Sequence, residues 1–224
     1  MNHLKRGCIG LFAVICITSA CASRSGSPVD ISADPGATFV AHQVSGGLMI
    51  DKMEGGQTGA LQPSTPSGPQ FVLYSGSTPV AAFWITGPNT LVRSAPDTTA
   101  PTIGQVDTTW DKSAIRLMLK PEGHPTFSTS VFKRVGEGAP EALGQPTDST
   151  VGLRGVYRAD VIDAAGKPAG WIQVRFSHGG SAHRVYDGVL PATLNGPLAV
   201  AAAARLDAEL SAVLRSATNP YVGN

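Results

Sequence analysis

The chain has 224 residues, with 17 Lys+Arg against 16 Asp+Glu and only 15% charged residues. Its 26 Gly and 17 Pro are too many for a coiled coil, and the lack of long charge blocks argues against wholesale disorder. The near-zero net charge leaves no electrostatic footprint for nucleic acid or for capture by anionic membranes.

The first element is a short apolar run with a basic tip. Lys5 and Arg6 precede Gly7 to Ile17 (GCIGLFAVICI), which is uncharged and mostly apolar. A spanning helix needs about 20 apolar residues, so this run is too short to cross a bilayer. It suits the apolar region of an export signal, roughly 7–15 residues long. Residues 1–20 are therefore expected to be a removable signal.

Thr18-Ser19-Ala20-Cys21 follows, and it resembles the lipobox of bacterial lipoproteins, in which small residues precede an obligatory cysteine. That resemblance implies a diacylglyceryl group on the Cys21 sulfur, cleavage just before it and acylation of the new amine with a palmitate-type chain. A thiol is the best side-chain nucleophile for making such a thioether. Thr18 stands where the family prefers Leu, Val or Ile, with Ile17 one place further back. The rival reading is an ordinary signal peptidase site, because Ala20-Cys21-Ala22 also has small residues flanking the cut. Position favours the lipobox. Of the three cysteines, Cys8 and Cys16 lie inside the signal and only Cys21 sits where lipidation requires it. A lone cysteine in an exported chain is otherwise a liability, and disulfides cannot contribute to stability. Ala22 after the cysteine, in place of Asp, implies sorting to the outer membrane, facing the periplasm, in a Gram-negative envelope.

Residues 21–36 are then a lipidated cysteine and a small, polar, proline-punctuated tether. Residues 37–218 fit one β-rich domain, and 219–224 a tail. Glu54 to Pro69 and Gly136 to Ser149 resemble the tether in composition and are expected to be exposed loops. Between them lie strand candidates: Phe71–Ser75, Val80–Thr86, Asn89–Arg93, Thr102–Val106, Ile115–Lys120, Phe127–Lys133, and a hairpin of Val156–Ile162 with Trp171–Phe176. Val80–Thr86 is apolar on both faces, as a strand between two layers would be.

Asn195-Gly196-Pro197 opens the last element, with Asn as cap and Pro in the first turn. Leu198 to Ser216 lacks Gly and Pro. At 100° per residue Ala199, Ala202, Ala203, Leu206, Leu210, Val213 and Leu214 share a stripe for the sheet, with Asp207, Ser211 and Arg215 on its flank. Ala201, Ala204, Ala208 and Ala212 take the remaining side, where alanine needs only its helix propensity as explanation. The fold class expected is α+β: an antiparallel β-rich sheet or sandwich with one long C-terminal helix packed on it.

Chemistry is thin. No nucleophile elbow, phosphate loop, dinucleotide fingerprint or H-E-x-x-H occurs. His178-Gly179-Gly180-Ser181-Ala182-His183, followed by Tyr186 and Asp187, is the one cluster to weigh, as a zinc site or an activated Ser181. On a strand, His183 and Asp187 would stand about 13 Å apart, which argues for a polar turn instead. His42 and His124 read as lone surface or loop residues. Trp84, Trp110 and Trp171 could line a cleft but more often pack a core. The expectation is a non-catalytic envelope lipoprotein without cofactor or metal. Its partners would be the bilayer, through acylated Cys21, and an envelope protein or cell-wall component, not nucleic acid. The alternatives are an envelope-anchored hydrolase using His178–Asp187, or a soluble periplasmic protein if cleavage follows Ala22.

Overall fold

Short strands with period-two burial and tight turns dictate a meander in which each strand pairs with the next. The computed structural model describes residues 32–64, 68–111, 114–135, 142–143, 155–176, 183–194 and 196–218. In chain order the strands are β1 Phe39–Val44, β2 Gly47–Lys52, β3 Gly59–Pro63, β4 Phe71–Ser75, β5 Thr78–Thr86, β6 Asn89–Arg93 and β7 Thr102–Asp111. They continue as β8 Ala114–Pro121, β9 Phe127–Thr129, β10 Lys133–Val135, β11 Gly155–Ile162, β12 Pro168–Phe176 and β13 Arg184–Val189, and the helix α1 Pro197–Thr218 comes last.

All pairings between these strands are antiparallel. β9 and β10 lie end to end along one edge of β11, with Thr129 opposite Val161 and Lys133 opposite Arg158. Ser130 joins them: its N–H donates to the Asp160 carbonyl at 2.8 Å, and its Oγ accepts from Asp160 N–H at 2.9 Å. The two segments therefore form one interrupted stave. β13 pairs with β1, Tyr186 opposite Ala41, and the sheet closes into a barrel of 12 strands. Closure removes the exposed edges that an open sheet would present.

Twelve strands spaced about 4.8 Å apart and tilted by about 40° enclose a barrel roughly 12 Å in radius. That lumen is too wide for strand side chains alone to fill, and α1 occupies it. Every residue from Leu198 to Leu206 is buried, whichever way it faces. The helix packs against β1, β2, β5, β6, β7 and β8. Arg205 reaches Thr108 on β7, while Asp207, about 200° further round the helix, meets Tyr186 and Arg184 on β13, across the ring. A helix some 10–12 Å across fits only if it is slim, hence the run of alanines. Gly104 on β7 shows how tight the fit is, since a Cβ there would stand 3.1 Å from Leu198 Cδ2 and 2.4 Å from the Lys120 carbonyl oxygen.

The inward row forms a continuous core around α1, including Phe39, Leu48, Leu61, Leu73, Phe83, Ile115, Leu117 and Val174. The outward row carries exposed charge, including Asp51, Asp111, Arg116, Lys120 and Asp160. A membrane-spanning barrel has the reverse arrangement, an apolar outer band around a polar interior. No helix among the described residues is long and apolar enough to cross a membrane.

The β-rich antiparallel body with one C-terminal helix is thus as expected from sequence, and of the two forms expected, sheet or sandwich, the sheet is the one found, closed on itself. The helix differs in position: it lies inside the sheet, not on it. Ala201 and Ala204, expected to face outward, are at 0% and 9% exposure; only Ala208 and Ala212 further along are exposed. The loop expected over Glu54–Pro69 contains β3, whose inward Leu61 is 2% exposed. Nearly all of the loop expected over Gly136–Ser149 lies outside the described residues.

Candidate functional site

α1 enters the barrel at one end, where Gly196 and Pro197 meet Met53, Glu54 and Val80. It leaves at the other, beside the β1–β2 turn. There the helix leans on one side and leaves a cleft of about 410 Å³. Val44, Gly47 and Leu48 of the β1–β2 hairpin, with Leu61 and Phe71, form one wall, and helix residues Ala204, Asp207, Ala208, Ser211 and Arg215 form the other. The hairpin bends tightly enough to form this rim because Gly46 adopts φ +79°, in the left-handed region that a Cβ disfavours.

The polar side of the cleft is held in place by the barrel wall. Arg184 and Tyr186 alternate with outward residues along β13, so both point at α1. Arg184 Nε donates to Asp207 Oδ1 at 2.9 Å, and its Nη2 donates to Ser211 Oγ at 2.7 Å. The Tyr186 hydroxyl donates to the same Oδ1 at 2.6 Å. Both bonds fall on Oδ1, and neither uses Oδ2. Burial, reinforced by the Asp207 carboxylate, holds the Tyr186 phenol well above its ordinary value. Gln43 also lines the cleft, and its Oε1 has no hydrogen-bond partner. On the far side of the helix, Arg205 bonds Thr108 Oγ1 at 2.7 Å and pairs with Glu209 one turn on. These two polar bolts fix the rotation of α1 and so the geometry of the cleft.

The residues singled out from sequence lie elsewhere. Cys21, His178 and Ser181 are outside the described residues. His183 is exposed. Asp187 points to the outside of β13 and is fully buried there under the segment that leads into β1. Its carboxylate accepts from Asp34 N at 2.8 Å and Gln173 Nε2 at 2.9 Å, and pairs with Arg175 at 3.3 Å. This is the bonding of a structural clasp, and it leaves Asp187 no face to offer a substrate. Tyr186 points the opposite way, into the lumen. Among the described residues, no three His, Cys, Asp or Glu come together to hold a metal.

His42 is not lone: it pairs with Asp51 at 2.6 Å on the outer wall. His124 sits exposed in a turn. None of the tryptophans lines the cleft, and Trp171 packs against the small outer cluster of Ala37, Val40 and Val185. Trp84 and Trp171 lie under the guanidinium groups of Arg93 and Arg158, at 5.6 and 4.2 Å, and Trp110 is exposed. Sequence reasoning placed Asp207, Ser211 and Arg215 together on the helix flank but assigned them no role. Gln43 and the β1–β2 rim went unnoticed, although Gly46-Gly47 between alternating apolar residues is a hairpin signal.

Fold and site together define a closed antiparallel barrel plugged by its own C-terminal helix, with an open cleft at one mouth. No known protein family, no curated protein and no solved structure matches the chain.

Proposed function

We propose that this protein is a bacterial envelope lipoprotein with a non-catalytic binding role, anchored to the outer membrane through acylated Cys21 and facing the periplasm. The cleft between α1 and the β1–β4 rim is its ligand site. The binding role rests on one observation: a preformed concave site with convergent polar groups at one mouth of the barrel. The anchor rests on the Thr18-Ser19-Ala20-Cys21 resemblance and on Ala22. Two or more acyl chains, at about 0.8 kcal/mol per buried CH₂, hold durably where one would not. The charged outer wall suits a body standing in water beside that anchor. The chain from Cys21 joins the barrel at the end where Thr38 N–H bonds the Gly188 carbonyl, away from the cleft.

The anchor is tested by intact-mass measurement of the N-terminal peptide from membrane-extracted protein. The expected peptide starts at Cys21 and carries the mass of a diacylglyceryl group plus one acyl chain. Cys21→Ala should move the protein from the membrane to the soluble fraction. An unmodified chain starting at Ser23 and released by osmotic shock would refute the anchor.

A further inference from the structure

We propose that the outer wall of β10, β11 and β12 rests on the phospholipid head groups of the membrane that holds the anchor. This inference builds on the reading of Cys21 as the lipid site.

The path of the chain comes first. Ala33 and Trp171 of β12 pack on one outer cluster of Ala37, Val40 and Val185. Asp34 N–H bonds the Asp187 carboxylate on the same side of the barrel. The entering segment is thus tied to the wall, and it meets that wall beside Trp171. Eleven residues lead from Cys21 to Ser32, and fully extended they reach about 40 Å at most. The far wall, around β5 and β6, lies half-way round the outside of the barrel. With about 5 Å of side chain added to the radius, that path is about 50 Å. The tether is too short to lay the far wall on the bilayer, but the β10–β12 wall is well within its reach.

Chemistry then selects among the surfaces that can be reached. Lys133 stands directly opposite Arg158 across β10 and β11, so the two side chains share the outer face. Among the described residues, neither they nor Arg134 has an ion-pair partner. The Arg158 guanidinium lies 4.2 Å over the Trp171 ring. Val135 and Val156 are the next outward pair, and Val135, at 53% exposure, is the most exposed large apolar side chain among the described residues. Cations set between a tryptophan and exposed valines match a head-group layer, which offers phosphate to the cations and a less polar zone to the ring and the valines. The acids on this face are Asp160 and Asp34, and Asp34 Oδ1 already accepts from Gly36 N–H.

The other surfaces within reach fit less well. β1 and β2 present the His42–Asp51 pair, and Lys52 Nζ there is held by the Ala37 carbonyl at 2.7 Å. The end of the barrel where α1 enters carries Glu54, Asp97, Glu122 and Asp163 in its turns, against Lys167. A near-zero net charge does not oppose the contact. At physiological salt a charge is felt over only about 8 Å, so the bilayer meets the local wall and not the whole molecule.

The test reads which face of the anchored protein meets lipid. Ser128→Cys lies in the same stave as β10, Asn89→Cys on the far wall and Glu122→Cys at the barrel end. Each is introduced singly into the full chain and labelled with a nitrobenzoxadiazole fluorophore. The lipidated protein is reconstituted into vesicles of phosphatidylethanolamine and phosphatidylglycerol bearing a spin-labelled head group, and recovered by flotation. Quenching is expected to be severalfold stronger at Ser128→Cys than at the other two sites. Lys133→Glu with Arg158→Glu should lower it to the level of Asn89→Cys while the protein still floats. Lys133→Gln with Arg158→Gln serves if the reversed pair does not fold. Equal quenching at all three sites in a chain that floats overturns the seated wall and leaves the anchor standing. Strongest quenching at Asn89→Cys or Glu122→Cys, or a Ser128→Cys signal unmoved by the charge changes, refutes the proposal. A chain that does not float refutes the anchor, and this proposal with it.

Discussion

Asp207 is the residue on which the site turns. Its Oδ1 accepts from both Arg184 and Tyr186, and Arg184, whose side chain is 3% exposed, has no room to find another counter-charge. Asp207→Ala should therefore cost about 3–5 kcal/mol, most of it from the buried guanidinium left unpaired. Tyr186→Phe removes one bond to a charged acceptor and should cost about 2 kcal/mol. Because Asp207 and Tyr186 are the two ends of one hydrogen bond, the double variant should lose less than the sum, which denaturant titration of the four proteins would detect. The phenol also gives a pH signature. Its folded value lies well above the ordinary value of 10.0 that the unfolded chain retains. Below pH 10 both states keep the proton, and the contribution of Tyr186 is complete. As pH rises past 10 the unfolded chain loses its proton first and is favoured, so stability falls until the folded value is passed. Denaturant midpoints measured from pH 8 to 11 should decline in the wild type and decline less in Tyr186→Phe; parallel curves would contradict this assignment.

At the scale of the element, α1 shows why position decides what an alanine is for. On the surface of a sheet Ala201 would need no explanation beyond helix propensity; in a lumen it is small because the wall leaves no space. Ala201→Leu should cost about 1–3 kcal/mol, as overpacking does, whereas Ala208→Leu at the exposed mouth should change stability by less than about 0.5 kcal/mol. Equal, small effects at both positions would place the helix outside the barrel. The inward and outward faces could have been separated from sequence, because Leu198 to Ala204 contains no polar residue at all, and a helix apolar all round is a buried one. The amphipathic stripe belongs to the second half, from Asp207 onward, where α1 leaves the barrel. β13 was hidden for the opposite reason. Its inward residues are Arg184, Tyr186 and Gly188, and its outward ones include Val185 and a buried Asp187. Polar-in, apolar-out alternation reads as no strand until the helix partner and the covering N-terminal segment are known. β3 was lost to its Gly and Pro ends.

For the whole molecule, closure and plug depend on each other. The first and last strands meet only when β13 reaches β1, a contact between residues almost 150 apart, such as Phe39 with Gly188. The lumen they enclose is filled only when the segment after β13 turns inward. Removing α1 would leave the inward faces of β1, β2, β5, β6, β7 and β8 lining a void or flooded with water. A chain ending at Leu194 should accordingly lack a cooperative thermal transition and bind a hydrophobic dye; a sharp transition at the wild-type midpoint would show the barrel self-sufficient.

The sequence by itself determined what depends on neighbours along the chain. The strands from Phe71 to Phe176 follow from period-two patterning and turn residues, and the span of α1 follows from nineteen residues free of Gly and Pro. The expected lipid site at Cys21 rests on a local motif of the same kind. Tertiary structure alone decided that the sheet closes, that the helix goes inside, that Asp207 faces Arg184 and Tyr186, and that Asp187 is held in a clasp by Asp34, Gln173 and Arg175. Each of these is a pairing across the ring. A one-dimensional pattern records which residues seek burial, but not which surface, inner or outer, will bury them.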